Sequence, residues 1–136
     1  MFELSDQPID AGALRSSLCN PEAGALVTFE GWVRNHHEGR AVTSLEYEAH
    51  AELAVKEAEA ILQEAQNKFK VQQMMCIHRV GHLEIGALAV WIGVTGDHRD
   101  EAFQACRYVI DELKGRVPIW KKEHYREGDS SWIGQR

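Results

Sequence analysis

A two-layer α+β sandwich is the fold class this sequence predicts, and three observations predict it. Short alternating or apolar runs of strand length are interleaved with longer segments whose apolar residues recur at helical spacing. After a first helix the order reads β-β-α-β-β-α-β, and residues 41–124 within it read βαββαβ, the ferredoxin-like split arrangement. Finally, 136 residues of ordinary globular composition fit a single domain, 1–136, with no linker, low-complexity tract or repeat.

Residues 2–4 suit a short edge strand. Residues 10–19 have helical composition, with Leu14 and Leu18 one turn apart, and Asn20-Pro21 ends them because the residue before proline avoids the helical region. Residues 25–33 alternate: Ala25, Val27, Phe29 and Val33 on one face, Thr28, Glu30 and Arg34 on the other. The polar run NHHEGR follows, and residues 41–49 alternate again with Leu45 and Tyr47 inward. Two alternating runs around a glycine-containing turn predict a β-hairpin.

Residues 52–69 form a helix on the apolar stripe Ala54, Ala58, Ile61, Leu62, Ala65 and Phe69. Residues 71–80 read as a strand, 81–86 as a turn, and 87–95 as a second strand, apolar on both faces and therefore central. A further helix carries Ala102, Cys106, Val109 and Leu113 in register. Residues 117–124 close the sheet, with Pro118 near the strand start. The tail, 126–136, is polar with Trp132 as its anchor.

The net charge of −6, from 15 Lys+Arg against 21 Asp+Glu, argues against non-specific nucleic-acid binding. A local basic cluster in an acidic chain points instead to a small anion or an acidic partner. Cys19, Cys76 and Cys106 are odd in number, far apart and without a CxxC, which disfavours a disulfide framework or zinc site and suggests a reducing, cytoplasmic setting. They occupy core-like positions. The N-terminus lacks signal-peptide features, and the apolar run 87–94 is far too short to cross a bilayer.

Residues 94–123 gather the candidate chemistry. His98 and Arg99 open a helix whose N-cap is expected to be Asp97. Cations in a first turn oppose the helix dipole unless an anion lies between them; the alternative is solvation, or pairing with Asp100 and Glu101. Lys114 and Arg116 close the helix, where cations suit the dipole. Lys121 and Lys122 are consecutive on a strand and face opposite sides, so at most one joins a given site. Trp120 shares the face of Lys122. Arg34 sits at a strand end. His36, His37 and His50 match no metal spacing and read as solvated turn residues. No metal and no cofactor is called for by these residues.

The runs GALVTFEGWVRNHHEGRAVTSLEYEAH, IHRVGHLEIGALAVWIGVTGDHRDEAFQACRYVIDELKGRVPIWKKE and EGDSSWI together resemble the large, catalytic subunit of molybdopterin synthase. The resemblance extends over nearly all of the chain from Gly24 onward. It implies an α/β-hammerhead fold, a variant that the ferredoxin-like reading approximates. It also implies a homodimer in which each copy binds a small ubiquitin-like sulfur-carrier subunit, giving a heterotetramer. The carrier's C-terminal Gly-Gly thiocarboxylate would enter a pocket and pass sulfur to cyclic pyranopterin monophosphate, forming the dithiolene of molybdopterin.

Residue by residue, the resemblance makes Arg34 of VRNH a substrate contact. It makes His98 and Arg99 substrate-binding groups serving the other protomer's pocket. Lys114 is the first choice for catalysis, and Lys121 joins it. Lys122 and Glu123 line the substrate region. Trp32 stands where some relatives carry lysine, so no contact is carried over there. These residue types suit two anionic reactants. Arginine grips phosphate bidentately, and a lysine among cations gives up its proton more readily, as proton transfer requires. Lysine can also stabilise charge developing at the thiocarboxylate carbonyl. Lys121 or His98 could protonate the oxygen leaving the cyclic phosphate. Two other readings stand beside this one. One is a non-catalytic dimeric binding module for a phosphorylated metabolite. The other is an RNA-binding sheet, which would need exposed aromatics where Phe29 and Tyr47 point inward.

Overall fold

Two β-sheets, rather than one, organise the chain in the computed structural model, which describes residues 1–128 and 130–134. In order the elements are β1 (Phe2–Ser5), α1 (Ala11–Ser17), β2 (Ala25–Trp32), β3 (His36–His37), β4 (Arg40–Ala49), α2 (Ala51–Lys68), β5 (Gln73–Arg79), β6 (Gly81–Glu84), β7 (Leu88–Gly96), α3 (Arg99–Arg116), β8 (Ile119–Tyr125) and β9 (Ser130–Gly134). The first sheet has the order β1-β5-β7-β2; the second runs β3-β4-β8-β9, with β6 paired to β4.

Helices α2 and α3 cover one face of the first sheet, giving the α+β sandwich. Ala54, Ala58, Ile61, Leu62 and Ala65 of α2 meet Ala102, Ala105, Val109 and Leu113 of α3 above Cys76, Ile92 and Val94. Small residues on α2 let the helices sit close to the sheet. The opposite face is closed by the end of α1. There Leu18 and Trp91 lie over Gly93, where an added Cβ would come within 2.7 Å of Leu18 Cδ1. β7 is central and buried, as its apolar composition predicts. A smaller core of Val33, Leu45, Leu83 and Ala89 joins the two sheets.

The expected order βαββαβ gains one strand, β6, between β5 and β7, and its strands divide between the sheets. β5 and β7 pair in the first, whereas β4 and β8 pair antiparallel in the second. The expected hairpin between residues 25–33 and 41–49 does not form. β2 pairs along its length with β7, and β4 turns back on the two-residue β3 through Glu38 (φ 50°) and Gly39 (φ 78°). Alternation identifies a strand without naming its partner. A bulge at Gly31/Trp32 and the link through residues 33–35 carry the chain from one sheet to the other.

Residues 81–86 are not merely a turn, since β6 pairs with β4 and buries Leu83. The tail adds a strand too: β9 pairs with β8. Among the described residues no helix is long and apolar enough to cross a membrane.

Candidate active site

The sheets diverge around a cavity of about 240 Å³. Arg34, just beyond β2, enters from one side; Lys114, in the last turn of α3, from another; Lys121 and Glu123, on β8, from a third. Phe29, Leu45 and Tyr47 supply apolar wall. Lys121 and Glu123 are two apart on a strand and so share a face. Their side chains are 17% and 4% exposed, with Nζ 3.3 Å from Oε1. Glu123 Oε2 is buried and makes no hydrogen bond of ordinary geometry among the described residues.

An acid buried this deeply needs compensation, and the adjacent Lys121 ammonium provides it. Its field is felt nearby. Burial first, and the Glu123 charge second, push the Tyr47 phenol up to about 12, so it stays protonated. Behind Tyr47, in edge contact at 4.8 Å, lies the fully buried His78. Its Nδ1 donates to the Arg79 carbonyl at 2.7 Å. Burial holds His78 down to about 4 against that hydrogen bond, and the positive charge of Lys114 acts in the same direction. The group behind Tyr47 is therefore a neutral imidazole.

The remaining expected site residues lie elsewhere. Lys122 faces away from Lys121, its Nζ 5.7 Å from the Trp132 ring. His98 and Arg99 are exposed at the opposite end of α3 from Lys114. Fifteen residues of helix separate Arg99 from Lys114, about 22 Å, so one chain's cavity does not contain both. His98, not Asp97, is the N-cap, and its side chain makes no capping bond. Asp97 accepts instead from Gln72 Nε2 at 2.7 Å. With Asp100 and Glu101 in the first turn, the helix dipole has its own acids. Arg116 points to α2, where it pairs with Glu57 and Glu64.

Three contributors go beyond their sequence expectation, although His36 is exposed as expected. His36 lines the cavity, Tyr47 forms its wall, and His37 lies behind it against Arg34 and Glu123. Hairpin register brings the histidines there, and that register has no local signature. His50 has another role, capping α2 by accepting from the Leu53 amide. Cys76 and Cys106 are buried, and burial raises both thiols; Cys19 is exposed, contrary to the core position expected for it. Among the described residues, no group of three or more His, Cys, Asp or Glu is arranged to hold a metal ion.

Known proteins are similar to this chain in sequence and in fold. A molybdopterin synthase catalytic subunit from Thermoplasma volcanium is 41% identical over 130 residues, covering 96% of this chain and 95% of that protein. One from Synechococcus elongatus is 44% identical over 133 residues, covering 97% and 81%. The crystal structure of molybdopterin synthase from Staphylococcus aureus superposes with a TM-score of 0.91 at 38% identity, covering 98% of this chain and 96% of that one. Residues 4–116 match the family described as MoaE protein. The two-sheet frame, the cavity at its junction and these likenesses agree, and the chain belongs to the MoaE family.

Proposed function

We propose that this enzyme is the catalytic subunit of a molybdopterin synthase, acting in molybdenum cofactor biosynthesis. In this reading it transfers sulfur from the C-terminal thiocarboxylate of a small ubiquitin-like carrier to cyclic pyranopterin monophosphate. The observation that carries the reading is the convergence of Arg34, Lys114 and Lys121 on one cavity with a buried acid at its base.

Two anionic reactants must be brought together, and three cations offset their repulsion. Arg34 holds phosphate. Lys114 faces the incoming carrier tail, where it stabilises the negative charge that develops at the thiocarboxylate carbonyl and moves a proton. Lys121, fixed by Glu123, is the donor this cavity supplies for the oxygen leaving the cyclic phosphate. Glu123 acts through Lys121, whereas Lys122, on the opposite face of β8 beside Trp132, lies outside this cavity. His98 and Arg99 serve the cavity of a second copy, so the working unit is a homodimer with two carriers bound. A plain phosphate-binding module has no need of a buried carboxylate beside its lysines, which disfavours the binding-module reading.

The test is sulfur transfer in vitro with carrier thiocarboxylate and precursor. Lys114 is exposed, so Lys114→Ala leaves the fold intact. Molybdopterin formation is expected to fall by about a hundredfold or more. A folded variant that works at the native rate removes Lys114 from the mechanism.

A further inference from the structure

His37 is half-buried behind the cavity and touches two residues that line it. Arg34 Nη2 lies 3.2 Å from His37 Nδ1. A guanidinium only donates, so Nδ1 is the acceptor and the ring is the neutral Nε2–H tautomer. Its Nε2 faces Glu38 Oε1 at 3.6 Å. The same Nδ1 lies 3.7 Å from Glu123 Oε1. With a bare Nδ1 both of those atoms are acceptors and no hydrogen bond forms between them.

One added proton reverses these relations. Nδ1–H then donates to Glu123 and can accept nothing from Arg34, and two cations face each other where a hydrogen bond had been. Glu123 Oε1 is also the atom that pairs with Lys121, so a protonated His37 competes with that lysine. The other groups facing the ring do not undo this. Glu38, in the turn, favours the protonated ring, as Glu123 does. Lys121 on β8 opposes it, as does Arg40, the cross-strand neighbour of His37, which stacks on Tyr125 at 3.7 Å.

We propose that His37 is a positioning residue of the sulfur-transfer site: its neutral ring holds Arg34 toward the cavity, and its protonation moves it to Glu123 and releases Arg34. The inference rests on the reading of Arg34 as the phosphate-holding group. It deepens that reading by making precursor binding depend on the charge state of one imidazole.

The experiment measures KM and kcat for the precursor against pH, using full-length native protein, His37→Ala and His37→Asn with carrier thiocarboxylate. At about pH 8 the alanine variant is expected to raise KM roughly tenfold with a smaller change in kcat, as loss of a hydrogen bond to a charged group does. Once its ring is protonated the native protein has itself released Arg34, so native and alanine proteins converge at the acid end of the series. Asparagine offers Oδ1 to Arg34 but does not titrate; it restores a near-native KM at high pH and keeps it at low pH. A purely structural role would give a constant ratio of native to alanine KM across pH.

That constant ratio, or a native KM for the alanine variant at high pH, overturns the proposal. If native protein transfers no sulfur, the functional reading fails separately. Nitrogen NMR of the histidine rings then decides the remainder. A neutral His37 bearing its proton on Nε2, shifted by Arg34→Ala, upholds the contact; a proton on Nδ1 refutes it.

Discussion

Glu123 shows how much one buried charge organises. It is 3% exposed, pairs with Lys121 and raises Tyr47 in concert with burial. Glu123→Gln keeps the shape and removes the charge. Tyr47 should then titrate lower, though still above its ordinary range because burial is the larger cause, and ultraviolet titration reads this directly. Sulfur transfer should fall roughly tenfold, as Lys121 loses the partner that aims it. His78 makes a second residue-scale test. Its folded value of about 4 lies below its ordinary 6.5, so the unfolded chain binds the proton first. Stability is full above pH 6.5 and is lost as pH falls toward 4, by about 3 kcal/mol at most for a shift of that size. Urea midpoints across that window should slope for the native chain and flatten for His78→Gln. Of these residues, Glu123 and the lysines were legible through the family motif, whereas composition and spacing alone reached only an anion site. Tyr47 was placed inward by alternation, but nothing local revealed that the inside there is a cavity wall.

At the scale of elements, helices were legible almost to the residue because each carries its own period. α2 and α3 differ from expectation only at their ends. Strand partners were not legible, since pairing is a property of two segments. β6 is four residues that begin at Gly81 (φ 89°) and end two before Gly86 (φ 85°), so its punctuation reads as a turn until β4 supplies a partner. The β2–β7 pairing also shapes the site. Gly31 pairs with Val90, and a Cβ there would lie 2.7 Å from Val90 Cγ1. Both residues line the cavity. Gly31→Ala should therefore cost about 1–3 kcal/mol by overpacking and also weaken precursor binding, measurable by denaturation and by KM. Between the helices, Arg116 joins α3 to α2 through Glu57 and Glu64, and it holds Glu64 down to about 2. The contribution of Glu64 is present above its ordinary 4.5 and lost as pH falls toward 2. Arg116→Ala should lower Tm at neutral pH, and by less in about 1 M salt.

At the scale of the whole molecule, α3 sets the mechanism's geometry. Lys114 opens on its own cavity, while His98 and Arg99 lie about 22 Å away along the same helix. Residues 94–123 are close in sequence, yet the length of a straight helix keeps its two ends from surrounding one ligand within a single chain. β2 is an edge strand of the first sheet, and it carries Trp32 at 68% exposure; Phe103 on α3 is 59% exposed. In the proposed homodimer, the helix start that reaches this cavity belongs to the second copy. Complementation decides whether the sites are shared in this way. Lys114→Ala and Arg99→Ala chains, each inactive alone, are unfolded together and refolded so that subunits mix at random. Half of the dimers are then mixed. In a mixed dimer one cavity takes its lysine from the Arg99→Ala chain and its arginine from the Lys114→Ala chain, and is intact; the other lacks both. Activity should return to about a quarter of native, since a two-fold dimer has two equivalent sites. If Arg99 served its own chain's cavity, no mixed dimer would contain a complete site, and the refolded mixture would stay as inactive as its parents.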